Sequence, residues 1–202
     1  DVLNGGGGKD VLDGGAGIDT AVFSDKAGPV VVTLAGATPV AVTVNGVVQD
    51  TISNIENLIG GSGNDLLTGD GLANRLEGGA GDDVLNGGGG SDVLHGGAGV
   101  DTFVFSTALL GTDINVILDF TSGIDRIALD DAIFAEFAGQ SLVGSSAFHI
   151  GGAAQDANDR LIYDSASGTI MYDADGTGAG SAKAFAALAI GLSLTENDFL
   201  IV

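Results

Sequence analysis

In 202 residues the chain carries 27 acidic side chains, 23 of them aspartate, against six basic ones, a net charge of -21. A field this negative repels nucleic acid, anionic membrane surfaces and acidic polysaccharide and attracts cations, while 45% hydrophobic content separates the chain from disordered acidic tails. The absence of cysteine excludes disulfides and thiolate metal sites, and the longest apolar run, at 184–194, is about half of what a membrane span requires.

In chain order, residues 1–4 (Asp-Val-Leu-Asn) match the second half of a nine-residue unit, G-G-x-G-x-D-x-(aliphatic)-x, that follows at once. The sequence is therefore expected to start inside a repeat and to continue a longer chain. Whole copies begin at Gly5 and Gly14, and five more run in tandem from Gly60, Gly69, Gly78, Gly87 and Gly96. Position six holds Asp10, Asp19, Asp65, Asn74, Asp83, Asp92 and Asp101; position eight holds Leu12, Ala21, Leu67, Leu76, Leu85, Leu94 and Phe103.

The physics of the unit follows from its positions. Glycines at one, two and four allow positive φ and close backbone approach, so the first six residues can form a tight turn whose carbonyls converge. The last three form a short strand with its aliphatic side chain inward. Two units make one coil, coils stack into two parallel sheets, and every second unit shares an edge. Asp65, Asp83 and Asp101 then form one column, Asn74 and Asp92 another, and Asp1 aligns with Asp19. In the copy at 69–77 two glycines and the acid are lost, so the site that Asn74 shares with Asp92 is expected to be weak or absent. Ala21, in place of a larger aliphatic residue, predicts that the roll narrows or ends there.

Residues 23–59 read as an insert of β-branched strands, with a hairpin at Asn45-Gly46 and no acid cluster to mark a site. From 105 onward the pattern predicts strands in "NVILDF", "DRIAL", "RLIYD" and "TIMYD", a turn at 165–168, and two short helices near 130–138 and 181–190, the first capped by Asp130.

Stacked carboxylates repel unless a cation lies between them. Calcium suits such a gap, accepting six to eight carbonyl and carboxylate oxygens in tolerant geometry. Magnesium demands a stricter octahedron, and zinc favours His or Cys, of which the repeats offer only His95. Other motifs read as structure. "DADG" at 173–176 lacks an EF-hand glutamate at the twelfth position, where Ala184 stands. Gly8-Lys9 is followed by Asp10 rather than Ser or Thr, which breaks the phosphate-loop pattern. His95 and His149 have no partner at ligand spacing, and no nucleophile or zinc-hydrolase motif is present.

The nonapeptide resembles the repeat of RTX (hemolysin-type) proteins, a calcium-binding β-helix motif. "DTFVFS", "ILDFTSGIDRIAL" and the ending "DFLIV" are similar to the module that follows such repeats in that family. The resemblance implies a mainly β fold: a parallel β-roll, a right-handed β-helix of nonapeptide repeats, over 1–104 with the insert at 23–59, then a β-rich C-terminal cap with short helices over 105–202. It implies about four to six calcium ions at Asp1, Asp10, Asp19, Asp65, Asp83, Asp92 and Asp101. The turn residues at positions one and three join them: Gly5, Gly7, Gly14, Ala16, Gly60, Ser62, Gly78, Ala80, Gly87, Gly89, Gly96 and Ala98. Asp119 and Asp125 either close the last site or cap a turn. The resemblance further implies a monomeric, non-enzymatic module, secreted from a Gram-negative bacterium by type I secretion machinery that reads a signal at Asp198–Val202. The alternative is a calcium-scaffolded adhesive or carbohydrate-binding module.

Overall fold

The computed structural model describes residues 1–202. Nineteen short strands follow one another: β1 (Val2–Leu3), β2 (Val11–Asp13), β3 (Thr20–Val22), β4 (Val30–Thr33), β5 (Val40–Val44), β6 (Val47–Ser53), β7 (Asn57–Ile59), β8 (Leu66–Thr68), β9 (Arg75–Ala80), β10 (Val84–Asn86), β11 (Val93–Ala98), β12 (Thr102–Phe105), β13 (Asn115–Ile117), β14 (Arg126–Leu129), β15 (Phe148–Ile150), β16 (Leu161–Asp164), β17 (Thr169–Tyr172), β18 (Lys183–Ala187) and β19 (Phe199–Ile201). Each repeat contributes one strand, and consecutive repeats alternate between two sheets. One sheet runs β1-β3-β7-β9-β11-β13-β18-β17-β16-β15, the other β19-β14-β12-β10-β8-β4-β5-β6-β2. The protein is a parallel β-roll.

Register follows from position eight. Leu85 lies between Leu67 and Phe103 in one sheet, and Leu76 between Leu58 and Leu94 in the other. All six side chains are fully buried, because alternation turns the second residue of each of these strands inward. One hydrophobic cluster extends from Leu12 to Ile201, so every coil shares a single core.

Ala21 neither ends nor interrupts the roll. Its strand β3 joins β1 to β7 in unbroken parallel register, and the buried Phe23 adds bulk two residues on. The insert is likewise part of the roll. Asn45 and Gly46, at φ 52° and 73°, close the expected hairpin between β5 and β6. β4 then continues the sheet through β8, while β6 pairs in parallel with β2.

The expected helix at 181–190 is instead strand β18, parallel to β13 and antiparallel to β17. Its alanines favour helix in isolation, but the backbone groups of two neighbouring strands await partners there, and Phe185 and Ala186 are buried in the process. The expected helix at 130–138 shrinks to one 3-10 turn, Ala135–Phe137, with no side-chain cap. Asp130 instead accepts the Ala132 amide, a local turn that competes with helix. The 165–168 turn forms as expected, with the Asp164 carbonyl accepting the Ser167 and Gly168 amides. No helix is long and apolar enough to cross a membrane.

Candidate metal centre

The turns between strands stack along the two edges of the roll. Glycines at three positions of the unit shape the turns in two ways. At positions two and four, outside the turns at 60–65 and 69–74, they adopt positive φ, as Gly79 (113°), Gly81 (118°), Gly97 (104°) and Gly99 (146°) do, a conformation costly for other residues. At position one the demand is for space. A Cβ on Gly78 would lie 2.2 Å from Asp83 Oδ2 and 2.6 Å from the Gly96 carbonyl; on Gly87 it would lie 2.1 Å from Asp92 Oδ2. A carboxylate oxygen therefore occupies the cradle that the missing side chain leaves.

The other carboxylate oxygen builds a ladder along the edge. The Asp65 amide donates to Asp83 Oδ1 (2.7 Å), the Asp83 amide to Asp101 Oδ1 (3.0 Å), and the Asp101 amide to Asp125 Oδ1 (3.0 Å). At the near end the Val30 amide donates to Asp65 Oδ1. On the second edge the Asn74 amide donates to Asp92 Oδ1 and the Asp92 amide to Asn115 Oδ1, both at 2.9 Å. Each aspartate thus binds the coil before it through one oxygen and turns the second into its own turn.

That second oxygen is often left without a partner. Asp10, Asp19, Asp83 and Asp92 each have a buried Oδ2 that accepts no hydrogen bond. Asp19, Asp65, Asp83, Asp92 and Asp101 are at most 2% exposed, and burial of a charged group without compensation is strongly unfavourable. Burial pushes the Asp83 carboxyl up to about 7, with added repulsion from Asp65, Asp101 and Asp82. It pushes Asp92 up to about 6 and raises Asp65 and Asp101 as well. No three His, Cys, Asp or Glu side chains converge on one point, so a cation held here draws on backbone carbonyls together with one or two carboxylates. An all-oxygen donor set of this kind fits calcium.

The candidate residues distribute unevenly. Asp1 meets Asp19, whose Oδ1 accepts the Asp1 amino group. Gly5, Gly14, Gly60 and Gly96 repeat the close approach to the position-six carboxylate of their own turns, and Gly7, Ala16, Ser62, Ala80, Gly89 and Ala98 lie two residues further along those turns. Asp125 extends the first ladder and accepts the Thr121 amide through Oδ2. Asp119 uses both oxygens on the Gly96 and Gly97 amides, and His95 Nε2 lies 3.5 Å away. Asn74 does what a carboxylate cannot: it accepts the Asp70 amide and donates through Nδ2 to the Glu56 carbonyl. "DADG" is a turn in which Asp173 accepts the Asp175 amide and Asp175 the Gly180 amide.

Three ladder residues escaped the sequence reading. The Asp10 amide donates to Asp50 Oδ1, whose Oδ2 is again buried and unpartnered; the Asp19 amide donates to Glu56 Oε2; and Asn115 caps the second edge. Their signal is the second half of the unit without its glycines, as in "DTIS", "ENLI" and "NVIL".

The family model of the RTX calcium-binding nonapeptide repeat matches residues 1–21, 51–71 and 68–103, in four copies. Among solved structures, the chain is similar to the AlgE6R3 subunit of the Azotobacter vinelandii mannuronan C5-epimerase, with 24% identity over 96% of this chain and 79% of that one and a TM-score of 0.36. No curated protein matches the chain. Over the residues that the family model matches, the repeats are RTX repeats of the calcium-binding type.

Proposed function

We propose that this module is a calcium-triggered folding unit of a larger exported protein. The observation that supports it most is the pair of buried, unpartnered carboxylate oxygens on Asp83 and Asp92, each in a cradle that only glycine leaves open. The position-six aspartates, Asp125 and the turn carbonyls at positions one and three would hold about four to six ions. Calcium, when bound, supplies the positive charge that relieves the columns and ligates otherwise unsatisfied oxygens.

Without that charge the Asp65–Asp83–Asp101 column repels itself in a partly desolvated environment. Ordering the backbone costs roughly 1–2 kcal/mol per residue, and 36 glycines place that cost at the high end. One inward aliphatic side chain per nine-residue repeat is thin compensation. At low cytosolic calcium the chain remains unfolded and competent for type I secretion. Outside, at about millimolar calcium, sites of roughly 10⁻⁴–10⁻³ M fill, and binding free energy becomes folding free energy.

Residues 105–202 serve as the C-terminal cap and Asp198–Val202 as the export signal. In the folded chain Asp198 is 1% exposed and accepts the Gly123 amide (2.7 Å), the Ser122 hydroxyl (2.9 Å) and the Thr195 amide (2.8 Å). Phe199 and Ile201 are buried in β19. A signal packed in this way is legible only before folding, which suits export ahead of calcium binding. Circular dichroism provides the test: a disordered spectrum in chelator converts to strand on adding millimolar calcium. A spectrum identical in chelator and calcium contradicts the proposal.

A further inference from the structure

On the second edge the turn at 14–19 precedes the insert, and the turn stacked on it lies at the insert's far end. The backbone bonds give the register of that next turn. Between regular turns the position-one amide donates to the position-nine carbonyl of the following unit on the same edge, as Gly60 does to Glu77 and Gly69 to Asn86, both at 2.8 Å. Gly14 donates to the Ser53 carbonyl at 3.0 Å, so Ser53 stands at position nine and Asn54 at position one. The spacing agrees. A Cβ on Gly14 would lie 2.0 Å from the Asn54 carbonyl, just as one on Gly60 or Gly69 would lie 2.3 or 2.2 Å from the position-one carbonyl of the turn beyond. Thr20, at position seven, pairs with Asn57, which places Glu56 at position six.

The repeat takes six residues from position one to position six, and this turn takes three: Asn54, Ile55 and Glu56. Asn54 bends the chain at φ 52°, in the left-handed region that asparagine tolerates, and its side-chain amide donates to Asp13 Oδ1 at 2.6 Å. Ile55 turns into the core. Glu56 has one methylene more than an aspartate, and the extra reach carries Oε2 to the Asp19 amide at 2.8 Å, the bond that Oδ1 makes in the regular ladders. On the facing turn Asp19 is 1% exposed. The Asp1 amino group takes its Oδ1, and its Oδ2 is buried without a partner. No Lys, Arg or His side chain forms an ion pair with Asp19 or Glu56, and Arg75, on the neighbouring strand, is held by Glu77. The carbonyls of Gly14, Ala16 and Asn54 accept no backbone hydrogen bond.

We propose that Glu56 is a calcium ligand, and that the layer between turn 14–19 and the three-residue turn 54–56 is a calcium site. The inference rests on the calcium reading of the repeat edges and adds to it a half-site made without glycine or aspartate. Asp19 Oδ2, the free Oε1 of Glu56 and the three open carbonyls are all oxygen donors, and water can complete the six to eight that calcium takes. Farther along the same edge Asp92 stands between Asn74 and Asn115, so its layers lack the paired carboxylates that this one has. An ion here joins residues 37 positions apart, on either side of the insert, and so closes the insert as a loop.

The test titrates the full chain with calcium, as wild type and as Glu56→Gln, and follows hydrogen exchange by mass spectrometry. Glutamine keeps the length and an acceptor for the Asp19 amide and loses only the charge, so a role confined to that hydrogen bond leaves the titration unchanged. The calcium midpoint for protection of 14–19 and 54–59 is expected to rise about tenfold or more in Glu56→Gln, with the midpoint for 78–101 as in wild type. An unchanged midpoint at 14–19 overturns the inference. Should the variant shift every segment alike or fail to fold, wild-type crystals grown in calcium decide: an anomalous peak between Asp19 and Glu56, with a Glu56 oxygen within about 2.6 Å, supports it, and flat density there refutes it. Wild type in chelator separates the two readings. Protection that needs calcium at 78–101 but not at 14–19 overturns this inference alone, whereas protection independent of calcium at both removes the calcium reading and this inference with it.

Discussion

Asp83 and Asp92 occupy the same position of the same unit and differ in their neighbours. Asp83 stands between Asp65 and Asp101, whereas Asp92 stands between two amides, Asn74 and Asn115. Removing Asp83 deprives two layers of a carboxylate; removing Asp92 affects an edge that already holds itself through neutral hydrogen bonds. Asp83→Ala should therefore raise the calcium midpoint of folding about tenfold and Asp92→Ala by clearly less. Equal shifts in a calcium titration followed by circular dichroism would refute the column assignment. Proton binding follows from the same burial. The folded-state carboxyls of Asp83 and Asp92 lie near 7 and 6, above their unfolded values, so the folded metal-free chain binds more protons than the unfolded one. The stability that this contributes is complete below the ordinary carboxylate range and is lost as pH rises through about 6 to 7. In chelator, strand content should thus be greater at pH 4 than at pH 8, and strand content that grows with pH would argue against buried, cation-free carboxylates.

At the scale of elements, the repeat strands were legible because nine residues state both the turn and the inward side chain. Leu67, Leu85 and Phe103 fall in register as their spacing requires. Legibility failed where tertiary pairing decides. The 183–187 segment has helical composition, yet two open neighbours make it β18, an override that local propensity cannot register. In the same way Asp50 and Glu56 entered the ladder without glycine turns to announce them, since the insert borrows the shape of the coils on either side. β18 also anchors an aromatic cluster: Phe185 meets Phe105 edge-on at 4.9 Å and Phe134 at 5.2 Å between ring centroids. Phe185→Ala should lower stability in saturating calcium by about 3–5 kcal/mol, as measured by urea unfolding. A loss below about 1 kcal/mol would show that the strand is not held by this packing.

As a whole, the molecule is a stack in which each coil touches mainly its neighbours, so its stability approximates a sum of coil and interface terms. Both sheets pass beyond the last repeat without a break: β14 pairs with β12 and then with β19, and β13 with β11 and then with β18. A single core links the repeat edges to the C-terminal strand, so whatever neutralises the buried carboxylates of those edges stabilises that strand as well. The most direct measurement is an anomalous difference map from crystals grown in millimolar calcium. The account predicts peaks between the turns of Asp65 and Asp83 and of Asp83 and Asp101, within about 2.3–2.6 Å of carboxylate and carbonyl oxygens. Flat density at those positions, with the aspartates still buried, would contradict it.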